Sequence, residues 1–147
     1  MSDRTSSAGA AVARRLLDAI VTRDFDSLDT ILAADVWMRA LLPREVVETH
    51  SAAAATEVIR GWFAAHEALE VVSTEQHTVE GREFLAYNLR VRPDWAPDVW
   101  HIVEQSAYCR VADNKVTRVD LLCTGFFPTA PASTQSDLTA AAAPDRE

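Results

Sequence analysis

The chain has 147 residues, enough for one domain with a real core and too few for two. Apolar residues make up 48% of it, which excludes a disordered chain. The net charge is −8 and no stretch concentrates Lys or Arg, so neither nucleic acid nor an anionic membrane surface is an expected partner.

The two cysteines, Cys109 and Cys123, are too few for a disulfide framework and fit a reducing compartment. The opening MSDRTSSAGA has no apolar signal core behind a basic start, and no apolar run is long enough to span a bilayer. The cytoplasm is the expected location.

Residues 1–7 are polar, and a frayed terminus is expected there. From Ala8 to Thr22, Val12, Leu16, Leu17, Ile20 and Val21 recur at helical spacing, with Ser6 or Ser7 available as a cap. Asp24 can cap a second, short helix in which Phe25, Leu28, Ile31 and Leu32 share a face. Asp35 to Leu42 reads as a strand that sends Val36, Met38, Ala40 and Leu42 one way and Trp37, Arg39 and Leu41 the other. Pro43 ends it. A third helix follows over 52–65, with Ala55, Val58, Ile59, Trp62 and Phe63 as its apolar stripe and His66 at its end. Gly61 inside this helix suggests close packing against a neighbour.

The pattern then changes to strands: Leu69 to Val79, Glu83 to Arg92, Val99 to Val111 and Lys115 to Cys123. Glu80-Gly81-Arg82 is a turn, residues 93–98 form a loop with two prolines, and Asp113-Asn114 is a tight hairpin turn. Gly125 to Pro128 closes the domain, and the Ala/Pro/Ser/Thr-rich residues 129–147 read as a disordered tail.

Helix, short helix, strand, helix and a four-strand antiparallel meander form a specific order. It resembles the nuclear transport factor 2-like superfamily, which includes the SnoaL-like polyketide cyclases and the ketosteroid isomerases. The resemblance covers residues 8–128 and is carried best by GWFAAHEAL and by the hairpin AYCRVADNKVTRVDLL. It implies an α+β, cone-shaped barrel with N-terminal helices packed on a curved antiparallel sheet around one pocket. Members act as cofactor-free isomerases, cyclases, dehydratases or hydrolases, or serve only as binding scaffolds.

With Asp113-Asn114 as a two-residue turn, Ala112 faces Lys115, Tyr108 pairs with Val119, Ser106 with Leu121 and Glu104 with Cys123. A one-residue slip would scramble these pairs. In the ketosteroid isomerases a buried acid projects inward from the strand before this turn, and its position falls on Ser106. That assignment places Trp100, Ile102, Glu104, Ser106 and Tyr108 inside, beside Val119, Leu121 and Cys123. The hydroxyl of Ser106 replaces the acid, and Glu104 on the same face is the side chain to take over its role. The general base of those enzymes falls near Ala40, which has no proton chemistry. His101 and Asp120 match the histidine and acid of SnoaL-like cyclases, but this register puts them on the convex side as the second-ranked pair.

Glu104 is therefore the candidate proton shuttle, since a carboxyl in an apolar pocket has its pKa raised by desolvation. Otherwise it is a Glu satisfied by an Arg or by solvent. Tyr108 is the candidate oxyanion donor and Tyr87 a possible helper; otherwise both are core tyrosines with hydroxyls at the rim. Substrate contacts are expected from Trp37, Arg39, Trp62, His66, Tyr87, Trp100, Ser106 and Cys123. A surface arginine, a packed histidine and a small core cysteine are the alternatives for Arg39, His66 and Cys123. No histidine pair stands at metal-ligand spacing and no phosphate loop occurs, so neither metal nor cofactor is expected. By this register Cys109 and Cys123 lie on opposite faces.

The function expected first is a cofactor-independent cyclase or isomerase acting on a hydrophobic carbonyl or polyketide-like substrate. The alternative is a non-catalytic ligand-binding or dimeric assembly module. It is favoured by a pocket without a buried acid or one filled by its own side chains. The homodimer would use an outer face made of Val99, Val103, Ala107, Cys109, Val111 and Leu122. An epoxide-hydrolase-like Asp-Arg-Asp set ranks third, because Leu121 stands where an inner Asp is needed.

Overall fold

The computed structural model describes residues 2–129, with side chains from residue 8 onward. Residues 130–147, expected to form a tail, lie outside the described residues, as does Met1.

Helix α1 (Ser2–Val21) starts six residues before the expected position, so Ser6 and Ser7 lie within it instead of capping it. Val12, Leu16, Leu17 and Ile20 are buried, as are the alanines between them, while Arg14, Arg15 and Asp18 face solvent. The 3-10 turn Phe25–Ser27 leads into the short α2 (Leu28–Ile31). Asp24 makes no backbone cap; its carboxylate accepts from Ser27 Oγ at 2.6 Å.

Strand β1 (Leu32–Leu41) begins three residues early, and a short β2 (Val46–Thr49) not expected from the sequence pairs back on it. Ser51 caps α3 (Ala52–Phe63) by accepting from Ala54 N at 3.1 Å. Gly61 is exposed, and a Cβ there would meet nothing within 4 Å, so the expected close packing is absent. Arg23 donates to the carbonyls of Phe63 and His66 at 3.2 and 2.9 Å, tying the end of α1 to the end of α3.

The meander comprises β3 (Ala68–Val79), β4 (Arg82–Arg92), β5 (His101–Ala112) and β6 (Lys115–Cys123), and the short β7 (Phe127–Pro128) returns to β5. Both tight hairpins carry left-handed pairs, Glu80-Gly81 and Asp113-Asn114, whose twist matches that of the strands they join. The strand order is β2-β1-β6-β5-β4-β3. The curved, unclosed sheet is mixed, because β6 returns alongside β1 in the same direction; its other pairs are antiparallel, as expected. This is the expected α+β cone. α1 packs on β3 to β6 and α3 on β1, which together cover the concave face. Among the described residues no helix is long and apolar enough to cross a membrane.

Candidate functional site

One extra residue decides which side chains reach the interior. Ala112 lies opposite Lys115, as expected, and Val111 opposite Val116. Arg110 then lies opposite Arg118, so Thr117 has no partner and β6 is bulged. Beyond the bulge Cys109 faces Val119, Ala107 faces Leu121 and Gln105 faces Cys123.

The inner wall of β6 is as expected, with Val119, Leu121 and Cys123 buried. The inner wall of β5 is the opposite set: His101, Val103, Gln105, Ala107 and Cys109. Glu104, Ser106 and Tyr108 therefore point away from the interior, together with Trp100 and Ile102. This corrects the expected placement of Glu104 and Tyr108; the apolar surroundings invoked for Glu104 are not there. Trp37 and Arg39 are exposed on the same outer side of β1. The expected dimer face is corrected too, since Val103, Ala107 and Cys109 are inside. Cys109 and Cys123 share the inner face, on neighbouring strands, and both are free thiols. His101, of the second-ranked pair, is inside; Asp120 is outside.

Tyr87, His66 and Cys123 are buried, and Trp62 on α3 is half-buried against the core. Tyr87 Oη donates to Gln105 Oε1 at 2.6 Å across the β4–β5 pair. Burial pushes the Tyr87 hydroxyl well above the usual phenol range, so it stays protonated and remains a donor. Gln105 is 1% exposed, and its Nε2 has no acceptor. His66 lies at the end of α3 between Phe63 and Phe126, with both ring nitrogens buried and unpartnered. Desolvation by burial lowers its pKa, offset in part by the nearby Trp62 backbone and Asp94, which raise it. His101 must donate through Nδ1, since the Val99 carbonyl at 3.0 Å can only accept; its ring packs edge-on against Trp95.

Sequence reasoning missed Gln105 and Glu83. A polar residue in an apolar strand was the available signal for Gln105, but the expected register put it on the outer face, opposite Leu122, whereas it lies opposite Cys123. Glu83 is buried at the start of β4, accepts from Thr78 Oγ1 at 2.9 Å and packs against Gly9 of α1. It does not line the interior cavity. That cavity measures about 10 Å³ and is bounded by Leu16, Ile20, Met38, Ile59, Tyr87 and Val119 among others. It has room for about one water.

The outer face is different. A shallow depression of about 420 Å³ there is lined by Arg39, Leu41, Ser106, Tyr108, Asp120, Leu121 and Leu122. Beside it the Trp37 indole stacks on His50, carries the Arg118 guanidinium 3.8 Å from its centre and donates to Glu48. Arg118 holds Asp120 through two 3.0 Å hydrogen bonds, which raise the Arg118 pKa further. Trp100, expected as a pocket wall, instead lies beneath Arg90 and Arg92. Among the described residues no group of three or more His, Cys, Asp or Glu side chains could hold a metal.

No family model and no curated protein matches the chain. Solved structures do. A candidate polyketide cyclase from Xanthomonas campestris superposes with a TM-score of 0.64 at 16% identity, covering 79% of this chain and 90% of that one. A candidate SnoaL-like polyketide cyclase from Jannaschia sp. CCS1 gives 0.63 at 15%, covering 80% and 85%. A candidate ketosteroid isomerase from Kribbella flavida gives 0.61 at 20%, covering 86% and 84%. At these identities the likeness is one of fold.

Proposed function

We propose, on the premise of the SnoaL-like, nuclear transport factor 2-like fold that these neighbours share, that the chain is a non-catalytic module working as a homodimer through the outer face of its sheet. The observation that supports this is the contrast between the two faces. Among the described residues, the cavity bounded by Leu16, Met38, Tyr87 and Val119 has room for about one water, and no carboxylate lines it. The outer face exposes Trp37, Leu41, Tyr108 and Leu122 around a depression forty times larger, 420 against 10 Å³. Apolar side chains gathered on one sheet face gain by being covered, and a self-complementary two-fold interface covers both copies at once. Sedimentation equilibrium of the chain tests this. A dimer at micromolar concentration is expected; a monomer throughout that range overturns the reading.

A second reading is the cyclase or isomerase expected from the resemblance, acting on a hydrophobic carbonyl compound inside the cone. The observation that favours it is that Gln105, which accepts from Tyr87, and His66 each bury polar atoms without partners among the described residues: Gln105 Nε2 and both His66 ring nitrogens. Each such orphan costs roughly 1–3 kcal/mol unless a guest satisfies it. Native mass spectrometry of the purified chain is the test. A retained neutral small molecule, lost in Gln105→Leu, supports this reading; the bare mass from gentle ionisation counts against it.

A further inference from the structure

We propose that the two-fold axis of this dimer passes beside Leu122, and that Arg39 of each copy forms an ion pair with Glu104 of the other; the inference rests on the homodimer reading and gives it a geometry.

The strand register supplies the argument. Leu41 on β1 and Ser106 on β5 both lie opposite Leu122 on β6, one on each side. Arg39 is two residues before Leu41, and Glu104 is two residues before Ser106 on a strand running the opposite way. Arg39 and Glu104 thus occupy opposite corners of a grid centred on Leu122. Spacings of about 4.8 Å between strands and about 3.3 Å per residue put the two corners about 16 Å apart. They cannot reach each other within one chain.

Neither charge has a partner of its own among the described residues. Arg39 lies beside Asp120 and Glu48, but Asp120 is held by Arg118, and Glu48 accepts from Trp37 and faces His50. Glu104 uses only its backbone, in bonds with Thr124. A two-fold axis lying in the interface and bisecting the line between these corners sends each onto the other's counterpart. Two complementary pairs then form at once, and Leu122, at the midpoint, meets its own copy. Leu122 is 56% exposed, more than Trp37, Leu41 or Tyr108 on the same face. Each copy carries a net charge of −8, so association needs local complementarity of this kind to offset the general repulsion.

The test combines charge reversal with cross-linking in the full chain. Arg39→Glu and Glu104→Arg should each raise the dimer dissociation constant about tenfold or more, and the double variant should return it to near the wild-type value. Leu122→Cys should form a disulfide-linked dimer with oxidised glutathione, whereas Thr78→Cys, on an edge strand, should not. A wild-type dimer that shows neither rescue nor the Leu122→Cys cross-link overturns this axis and pairing. A wild-type monomer overturns the homodimer reading itself.

Discussion

Val119 sits directly across from Cys109, one place further along β6 than the tight Asp113-Asn114 turn alone would put it. The unpaired Thr117 takes up the difference. Deleting Thr117 would leave every other β5–β6 pair in place and restore unbroken alternation, Val116 in, Arg118 out and Val119 in. The deletion variant is expected to keep a cooperative thermal transition by circular dichroism; loss of that transition would show that the sheet needs the local bend the bulge provides. Thr117→Ala, which loses only a 3.3 Å bond to the Arg110 carbonyl, should stay within about 1 kcal/mol of wild type.

The Tyr87–Gln105 bond should behave as a coupled pair. Tyr87→Phe leaves the Gln105 carbonyl without its donor, and Gln105→Leu leaves the Tyr87 hydroxyl without its acceptor. Each should cost roughly 1–3 kcal/mol. The double variant should cost clearly less than the sum, because no stranded partner remains. Urea denaturation of the four proteins measures the coupling; strict additivity would show that the bond carries no weight.

His66 sets a pH dependence. Its folded-state pKa lies below the ordinary 6.5, so on acidification the unfolded chain takes up the proton first. The stability it permits is therefore complete above pH 6.5 and falls as the pH drops from there toward the folded-state value. The groups facing it work in both directions, with Arg23 and His101 lowering the pKa and Asp94 raising it. The melting temperature should drop between pH 7.5 and 5.5, and His66→Phe should flatten part of that drop. Parallel curves for the two proteins would exclude His66 as its source.

Two glycines should respond oppositely to the same change. Gly125 has φ +87°, and an added Cβ would lie 2.8 Å from Pro43 Cγ. Gly125→Ala should destabilise by about 1–3 kcal/mol, by backbone strain and by pushing on the β1–β2 turn. Gly61→Ala adds a methyl to open space on an exposed helix face and should stabilise by about 0.5–1 kcal/mol. Differential scanning calorimetry separates them by the sign of the shift in Tm.

Much of this protein was legible from local pattern alone. The stripe of Val12, Leu16, Leu17 and Ile20, the alternation of Val36, Met38 and Ala40, and the left-handed pair Asp113-Asn114 each follow from short-range rules. These determined the helices, the meander and hence the α+β cone. The facing of β5 was a different matter. Trp100, Ile102 and Tyr108 alternate with Val103, Ala107 and Cys109, so both sides of that strand read as apolar. Period-2 alternation says that two faces exist and not which one is covered. Only the tertiary structure decided it, through one bulged residue in β6, the parallel return of β6 beside β1, and the coverage of the concave face by α1 and α3. That decision moved Glu104 and Tyr108 outward and brought Gln105 and His101 in, because sidedness is a property of the whole sheet and no single strand carries it.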